Sequence, residues 1–282
     1  MQNPIIRIDQ VDVEYAAEGN ATRRVLNGIN MEIGSGEFIS IVGQTGCGKS
    51  TLLRLILGEQ RPTRGRVLVN GRERSQPDRL CGYVPQKYSL FSDKTVLDNL
   101  TFGPDVAEFG AFPTLRPGRR KRMREFRSEA LQFLKQMGLD ESDAHKYPHE
   151  LSGGMQQRVA IAQALIMQPP ILLMDEAFSA LDPGTRRGMQ RLIKELWRES
   201  GTTIVFVTHN TREAVWLGTR VIALGGAALF ERTVSHLDFD ADEDHIQFVI
   251  RDIETQTQAD RNVRIEREES QKRRLAEAIL PS

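Results

Sequence analysis

The chain has almost no cysteine. Cys47 and Cys81 are its only two, too few for a disulfide framework, and both are read as free thiols of a cytosolic protein. Long apolar runs are also missing. The longest, Val221 to Phe230, contains two glycines and is roughly half the ~20 residues a membrane-crossing helix needs. Any membrane role is therefore expected to come through another chain. Met1 to Gln10 has no apolar stretch behind a basic start, so no secretory signal is expected there. Charge of one sign is lacking too: 38 basic and 38 acidic residues cancel, which argues against a dedicated nucleic-acid binder. No internal repeat is visible. What is present is a 39% apolar share of 282 residues, enough for the core of one good-sized α/β domain, with or without an appendage.

Periodicity organises that domain. Pro4 to Tyr15 alternates at Ile6, Ile8, Val11 and Val13, as a strand should; a polar turn at Glu18-Gly19-Asn20 and a second alternating stretch, Val25 to Ile33, follow. After the turn Gly34-Ser35-Gly36-Glu37, the run Phe38 to Val42 is apolar but for Ser40, the mark of a strand buried on both faces. Ser50 to Leu57 reads as a helix ended by Gly58, and Arg66 to Asn70 and Cys81 to Pro85 read as strands. From Thr95 to about Met167 the spacing is helical, with interruptions expected at Gly103-Pro104 and at Pro113 to Gly118. Ile171 to Met174 and Thr203 to Val207 are short buried-strand candidates on either side of the helical Thr185 to Glu199. The alternation argues a mostly parallel sheet covered by helices, with a helical insertion in its middle. Beyond Arg232, Asp238 to Asp244 is acidic and Ala259 to Ala278 is dense in charge, which fits either a solvated helix or a disordered tail.

The chemistry starts at Gly43-Gln44-Thr45-Gly46-Cys47-Gly48-Lys49-Ser50-Thr51. Glycines at 43, 46 and 48 let the backbone wrap phosphate oxygens and aim N–H groups at them, and the next helix adds its positive end. The whole pattern lies between a buried strand and a helix, the context a phosphate loop requires. Lys49 is expected to reach the β- and γ-phosphates, Ser50 to ligate Mg²⁺ and Thr51 to bond the α-phosphate. Such a loop needs an acid to hold the metal. Asp175 ends the apolar run Ile171-Leu172-Leu173-Met174, and Glu176 beside it is placed to polarise an attacking water as general base. Adjacent carboxylates after a strand also cap helices, and the phosphate loop favours the catalytic reading.

A second segment, Leu151-Ser152-Gly153-Gly154-Met155-Gln156-Gln157, puts a serine and two glycines at a helix start, another anion site. In this chain it is redundant, because the phosphate loop already holds the nucleotide. Together the two segments resemble ATP-binding cassette (ABC) ATPases over roughly residues 5 to 230. Further positions match that family. Tyr15 resembles its adenine-stacking aromatic and Gln86 its Mg²⁺-touching glutamine. Ser179-Ala180-Leu181-Asp182 resembles the loop that crosses its dimer interface, and His209 its γ-phosphate switch histidine. Ala177 and Asn210 depart from the commonest family pattern without touching a catalytic role.

The resemblance implies an α/β fold: a P-loop NTPase (RecA-like) core with an antiparallel β subdomain and an inserted helical subdomain. It implies an ABC ATPase domain over 1–235, its helical part near 95–167, and a charged tail over 236–282. It implies ATP and Mg²⁺ as cofactors, with Gly43, Gln44, Gly46, Cys47, Gly48, Lys49, Ser50 and Thr51 around one nucleotide. Ser152, Gly153, Gly154, Gln156 and Asp182 are expected to meet the nucleotide of the opposite subunit in a head-to-tail homodimer or pseudo-symmetric heterodimer. The segments Leu151 to Leu165, Met174 to Arg187 and Thr208 to Val215 look most like the nitrate/sulfonate/taurine branch of bacterial importers. That implies separate permease subunits, an external substrate-binding protein, and a place at the cytoplasmic face of the inner membrane, with no nucleic-acid partner. The alternative is a soluble ABC ATPase of translation or DNA maintenance. Those usually carry two cassettes or a long coiled coil between the two segments, and this chain has neither. The basic stretch Arg116 to Arg127 is either solvated surface or a contact for anionic lipid or an acidic partner.

Overall fold

The computed structural model describes residues 3–16, 22–87, 89–110, 118–225, 229–233, 247, 251–253 and 255. In chain order, β1 (Ile6–Ala16), β2 (Thr22–Ile33) and β3 (Phe38–Val42) lead into α1 (Lys49–Leu57). β4 (Arg64–Val69), β5 (Arg72–Glu73) and β6 (Cys81–Val84) precede α2 (Val96–Phe109), α3 (Arg119–Gln136) and α4 (Gly153–Leu165). β7 (Ile171–Asp175), α5 (Pro183–Ser200), β8 (Thr203–Thr208), α6 (Thr211–Leu217), β9 (Arg220–Leu224) and β10 (Leu229–Thr233) complete the series. The contacts divide the chain into two units, Met1–Asp78 with Val205–Ser282, and Arg79–Ile204.

The first unit holds an antiparallel sheet of order β2-β1-β4-β5 and a second set of strands of order β10-β9-β3-β8. β3 is buried at every residue and runs parallel to β9, from Ile39 opposite Arg220 to Val42 opposite Ala223. In β1 the expected alternation breaks. Ile6 and Ile8 are buried, but so are Val11 and Val13, an odd step away. A register shift between Ile8 and Val11 absorbs it, with Gln10 at φ 49°. The cause is remote: Gly65 of β4, at φ 77°, approaches so closely that a Cβ there would lie 2.3 Å from the Gln10 carbonyl oxygen. Near the chain end, Ile253 is buried in a cluster with Val42, Ala214, Val215, Val221 and Ala223, and Trp216 leans on it. At least this point of the charged tail is therefore anchored. The acidic Asp238 to Asp244 and the charged Ala259 to Ala278 lie outside the described residues, as does the turn at Glu18-Gly19-Asn20.

The second unit pairs β6 with β7 in parallel, Cys81 opposite Ile171 through Val84 opposite Met174. The break expected at Gly103-Pro104 is absent: α2 runs through both residues. Pro104 forfeits the hydrogen bond to the Leu100 carbonyl. Against that loss, Val96, Leu97, Leu100, Pro104 and Phe109 are all buried on the helix, and Gln163 Nε2 donates to the Asn99 carbonyl at 3.2 Å. The break at Pro113 to Gly118 falls outside the described residues except for Gly118, the N-cap of α3. The basic stretch pairs with acids of its own unit. Arg119 holds Asp105 in two hydrogen bonds, Arg122 holds Glu108 and Glu125, and Arg127 lies 3.5 Å from Asp98. All but Arg122–Glu125, which lies within α3, join α3 to α2, leaving Arg120, Lys121 and Arg124 facing solvent. Among the described residues, no helix is long and apolar enough to cross a membrane.

Candidate functional site

Glycine 48 is the N-cap of α1, at φ 107°, and it supplies no side-chain cap; the first turn carries no acid either. The free N–H groups and positive end of a nine-residue helix are thus left for an anion from outside. Substitution at Gly48 is closed off on both grounds, conformation and space: a Cβ would meet Leu26 Cδ2 at 2.6 Å. Lys49 is buried and donates Nζ to the carbonyls of Gly43 (2.7 Å) and Gln44 (2.9 Å). Cys47 is buried in the same loop. Ser50 and Thr51 start the helix. The Tyr15 hydroxyl donates to Gln60 Oε1 at 2.8 Å and lies 3.4 Å from Thr51 Oγ1, leaving its ring 40% exposed. The end of β1 and the start of α1, distant in sequence, therefore meet at one edge of the loop.

His209 follows β8, is exposed, and leads into α6, whose N-cap Asn210 accepts from the Glu213 N–H at 3.1 Å. α6 packs through Ala214 and Val215 on Val42, the residue before Gly43.

In the second unit, Asp175 is the buried last residue of β7, and Glu176 follows at φ 47°. Gln86 Nε2 donates to Glu176 Oε2 at 3.0 Å, so two predicted site residues ninety positions apart are in direct contact. Asp182 caps α5, accepting N–H bonds from Gly184 and Thr185 at 3.1 Å; bonding from Thr185 holds its carboxyl below the usual carboxylate range. Arg186 donates to the carbonyls of Phe178 (3.2 Å) and Leu181 (2.9 Å), bracing the loop between Glu176 and Asp182. Ser152 caps α4, its hydroxyl accepting from the Met155 N–H at 3.3 Å, and Gly153 and Gly154 open the helix without an acid in its first turn. Gln156 turns its amide back onto the Leu151 carbonyl at 3.1 Å.

A phosphate loop alone leaves the family open; the serine-glycine helix start decides it, and a family profile described as ABC transporter matches residues 26–179, more than half of the chain. The chain belongs to the ABC transporter family. It is similar to the taurine import ATP-binding protein TauB of Rhizobium johnstonii, at 39% identity over 84% of each chain. It is also similar to the aliphatic sulfonates import ATP-binding protein SsuB of Bacillus licheniformis, at 37% identity over 76% of this chain and 78% of that one. Among solved structures, the ATP-binding cassette MJ0796, dimeric and bound to ADP and Pi, superposes with a TM-score of 0.71 at 34% identity, over 82% of this chain and all of that one. The α/β fold with one mostly parallel and one antiparallel sheet is that of the ABC cassettes, and the chain is an ABC-type ATPase.

For such an ATPase the donor set can be tested against its cofactors. The uncapped α1 terminus, the glycine loop and Lys49 suit a polyphosphate. Among the described residues, no cluster of three His, Cys, Asp or Glu could cage a metal ion. Ser50 in the first unit, and Gln86 and Asp175 in the second, each offer a hard oxygen donor of the kind Mg²⁺ takes alongside phosphate and water. Sequence reading missed Arg186, because its role is to hold carbonyls, which no motif spells. It also missed Arg23, whose place beside the loop is a matter of strand pairing.

Proposed function

We propose that this chain is the ATP-hydrolysing nucleotide-binding subunit of a bacterial ABC importer for a small polar sulfur or nitrogen compound of the nitrate, sulfonate or taurine kind. The observation that carries it is the helix α1, left without side-chain cap or acid behind a glycine loop, in a chain that also carries the serine-glycine start of α4. Its likeness to taurine and sulfonate import proteins supports the substrate class.

In this reading the loop N–H groups and Lys49 neutralise the phosphates, and Tyr15 stacks on the base. Ser50, Gln86 and Asp175 would hold a Mg²⁺, which would screen phosphate charge. Glu176 takes the proton of the attacking water, oriented by its bond from Gln86, while His209 faces the γ-phosphate. Ser152, Gly153, Gly154, Gln156 and Asp182 serve the nucleotide of a second subunit, so that ATP closes a head-to-tail dimer and hydrolysis reopens it. The domain reading is 1–235 for the ATPase, its helical part near 95–167, and 236–282 as a tail. Permease subunits would hold the chain at the cytoplasmic face of the membrane, fed by an external binding protein.

Deleting the gene tests this directly. Growth on taurine, an alkanesulfonate or nitrate as sole sulfur or nitrogen source should fail for at least one of the three, and return with the wild-type gene but not with Lys49→Ala. Undiminished growth on all three would remove the substrate class.

A further inference from the structure

We propose that Arg23 is a second cation of the nucleotide site, binding the polyphosphate from the outer side of the phosphate loop; this rests on the nucleotide-binding reading above. The path of β2 carries the inference. At Gly48 a Cβ would meet Leu26 Cδ2 at 2.6 Å and Val25 Cγ1 at 3.1 Å, so this strand lies directly against the loop. A register shift at Val25 interrupts the alternation, and beyond it Arg23 pairs with Tyr15, on the face opposite the Glu14–Arg24 pair. There its Nη2 sits 3.8 Å from the position a Cβ of Gly46 would take. Leu26 is fully buried, which fixes the backbone from which Arg23 projects.

The neighbouring arginine shows the contrast. Arg24 points to the other face and is committed to Glu14 and Asn27. Arg23 is exposed, and among the described residues it forms no ion pair. Its cross-strand partner is Tyr15, whose hydroxyl approaches Thr51. One end of the strand pair thus presents an aromatic ring and a guanidinium side by side along the loop. Lys49, the loop's own cation, has its Nζ turned onto two loop carbonyls. A guanidinium on the outer side adds a planar pair of N–H donors matched to phosphate oxygens, and a full charge where the loop N–H groups bring only dipoles.

The test is titration of the full chain with a fluorescent ATP and ADP, with adenosine as competitor, for wild type, Arg23→Ala, Arg23→Lys and Lys49→Ala. Arg23→Ala should weaken ATP and ADP binding about tenfold, leave adenosine competition unchanged, and raise KM for ATP with kcat within about twofold. Arg23→Lys should recover most of the affinity. An ATP affinity within about twofold of wild type for Arg23→Ala, while Lys49→Ala loses binding, overturns the proposal. An equal loss for adenosine also overturns it, since Arg23 would then serve the base or ribose. Full affinity in Lys49→Ala would instead bring down the nucleotide reading, and Arg23 with it.

Discussion

Glu176 occupies the left-handed region at φ 47°, a conformation that costs a residue with a side chain roughly 1–3 kcal/mol. It is held there by its surroundings. Ala177 and Phe178 are buried, the Ser179 N–H bonds the Glu176 carbonyl at 3.0 Å, and Arg186 ties down the next two turns of backbone. The strain fixes a carboxylate whose one oxygen already accepts from Gln86. Glu176→Gln keeps the size and removes the proposed base, so turnover should fall roughly 10²–10⁴-fold while ATP binding persists. Phosphate release and nucleotide titration measure the two quantities; a rate near wild type would take Glu176 out of that role. Asp182 works by a different means. Its lowered carboxyl favours the charged cap, so the contribution of that charge is full above the ordinary Asp range and is lost as pH falls through the lowered value.

Elements show where sequence was legible and where it was not. β3 and β7 were plain, because short runs, apolar but for Ser40 and ending at a glycine loop or an acid, admit few other readings. The alternation of β1 was legible as a strand, but its bulge was not, because Gly65, on a strand much later in the chain, imposes it. α2 misled for a related reason. Proline breaks a helix by local rules, and here burial of its own face outweighs one lost hydrogen bond. Gly65→Ala should therefore cost about 2 kcal/mol or more, combining a forbidden φ with overlap on two carbonyls. Urea unfolding would read this as a lowered midpoint; an unchanged midpoint would mean that the bulge relaxes freely.

For the whole molecule, the charge of the last segment concealed an apolar anchor. Ile253 is buried among side chains of β3, α6 and β9, so the tail contributes to the core beneath the phosphate loop's strand. Ile253→Ala should destabilise by about 2–5 kcal/mol and Ile253→Val by about 0.5–1.5 kcal/mol, seen as graded losses in thermal stability. Equal stability of all three would mean that the tail rests on the surface. The candidate site was legible where its chemistry is contiguous, from Gly43 to Thr51 and from Leu151 to Gln157. Arg186 escaped notice because it holds backbone carbonyls that no motif marks, and Arg23 because strand pairing places it beside the loop.

The central claim, that ATP joins two copies of this chain through the serine-glycine start of α4, is tested most directly by size-exclusion chromatography with light scattering on Glu176→Gln. Addition of Mg-ATP should convert monomer to dimer, and Ser152→Arg in the same background should abolish the shift while nucleotide binding remains. A chain that binds ATP and stays monomeric would contradict it.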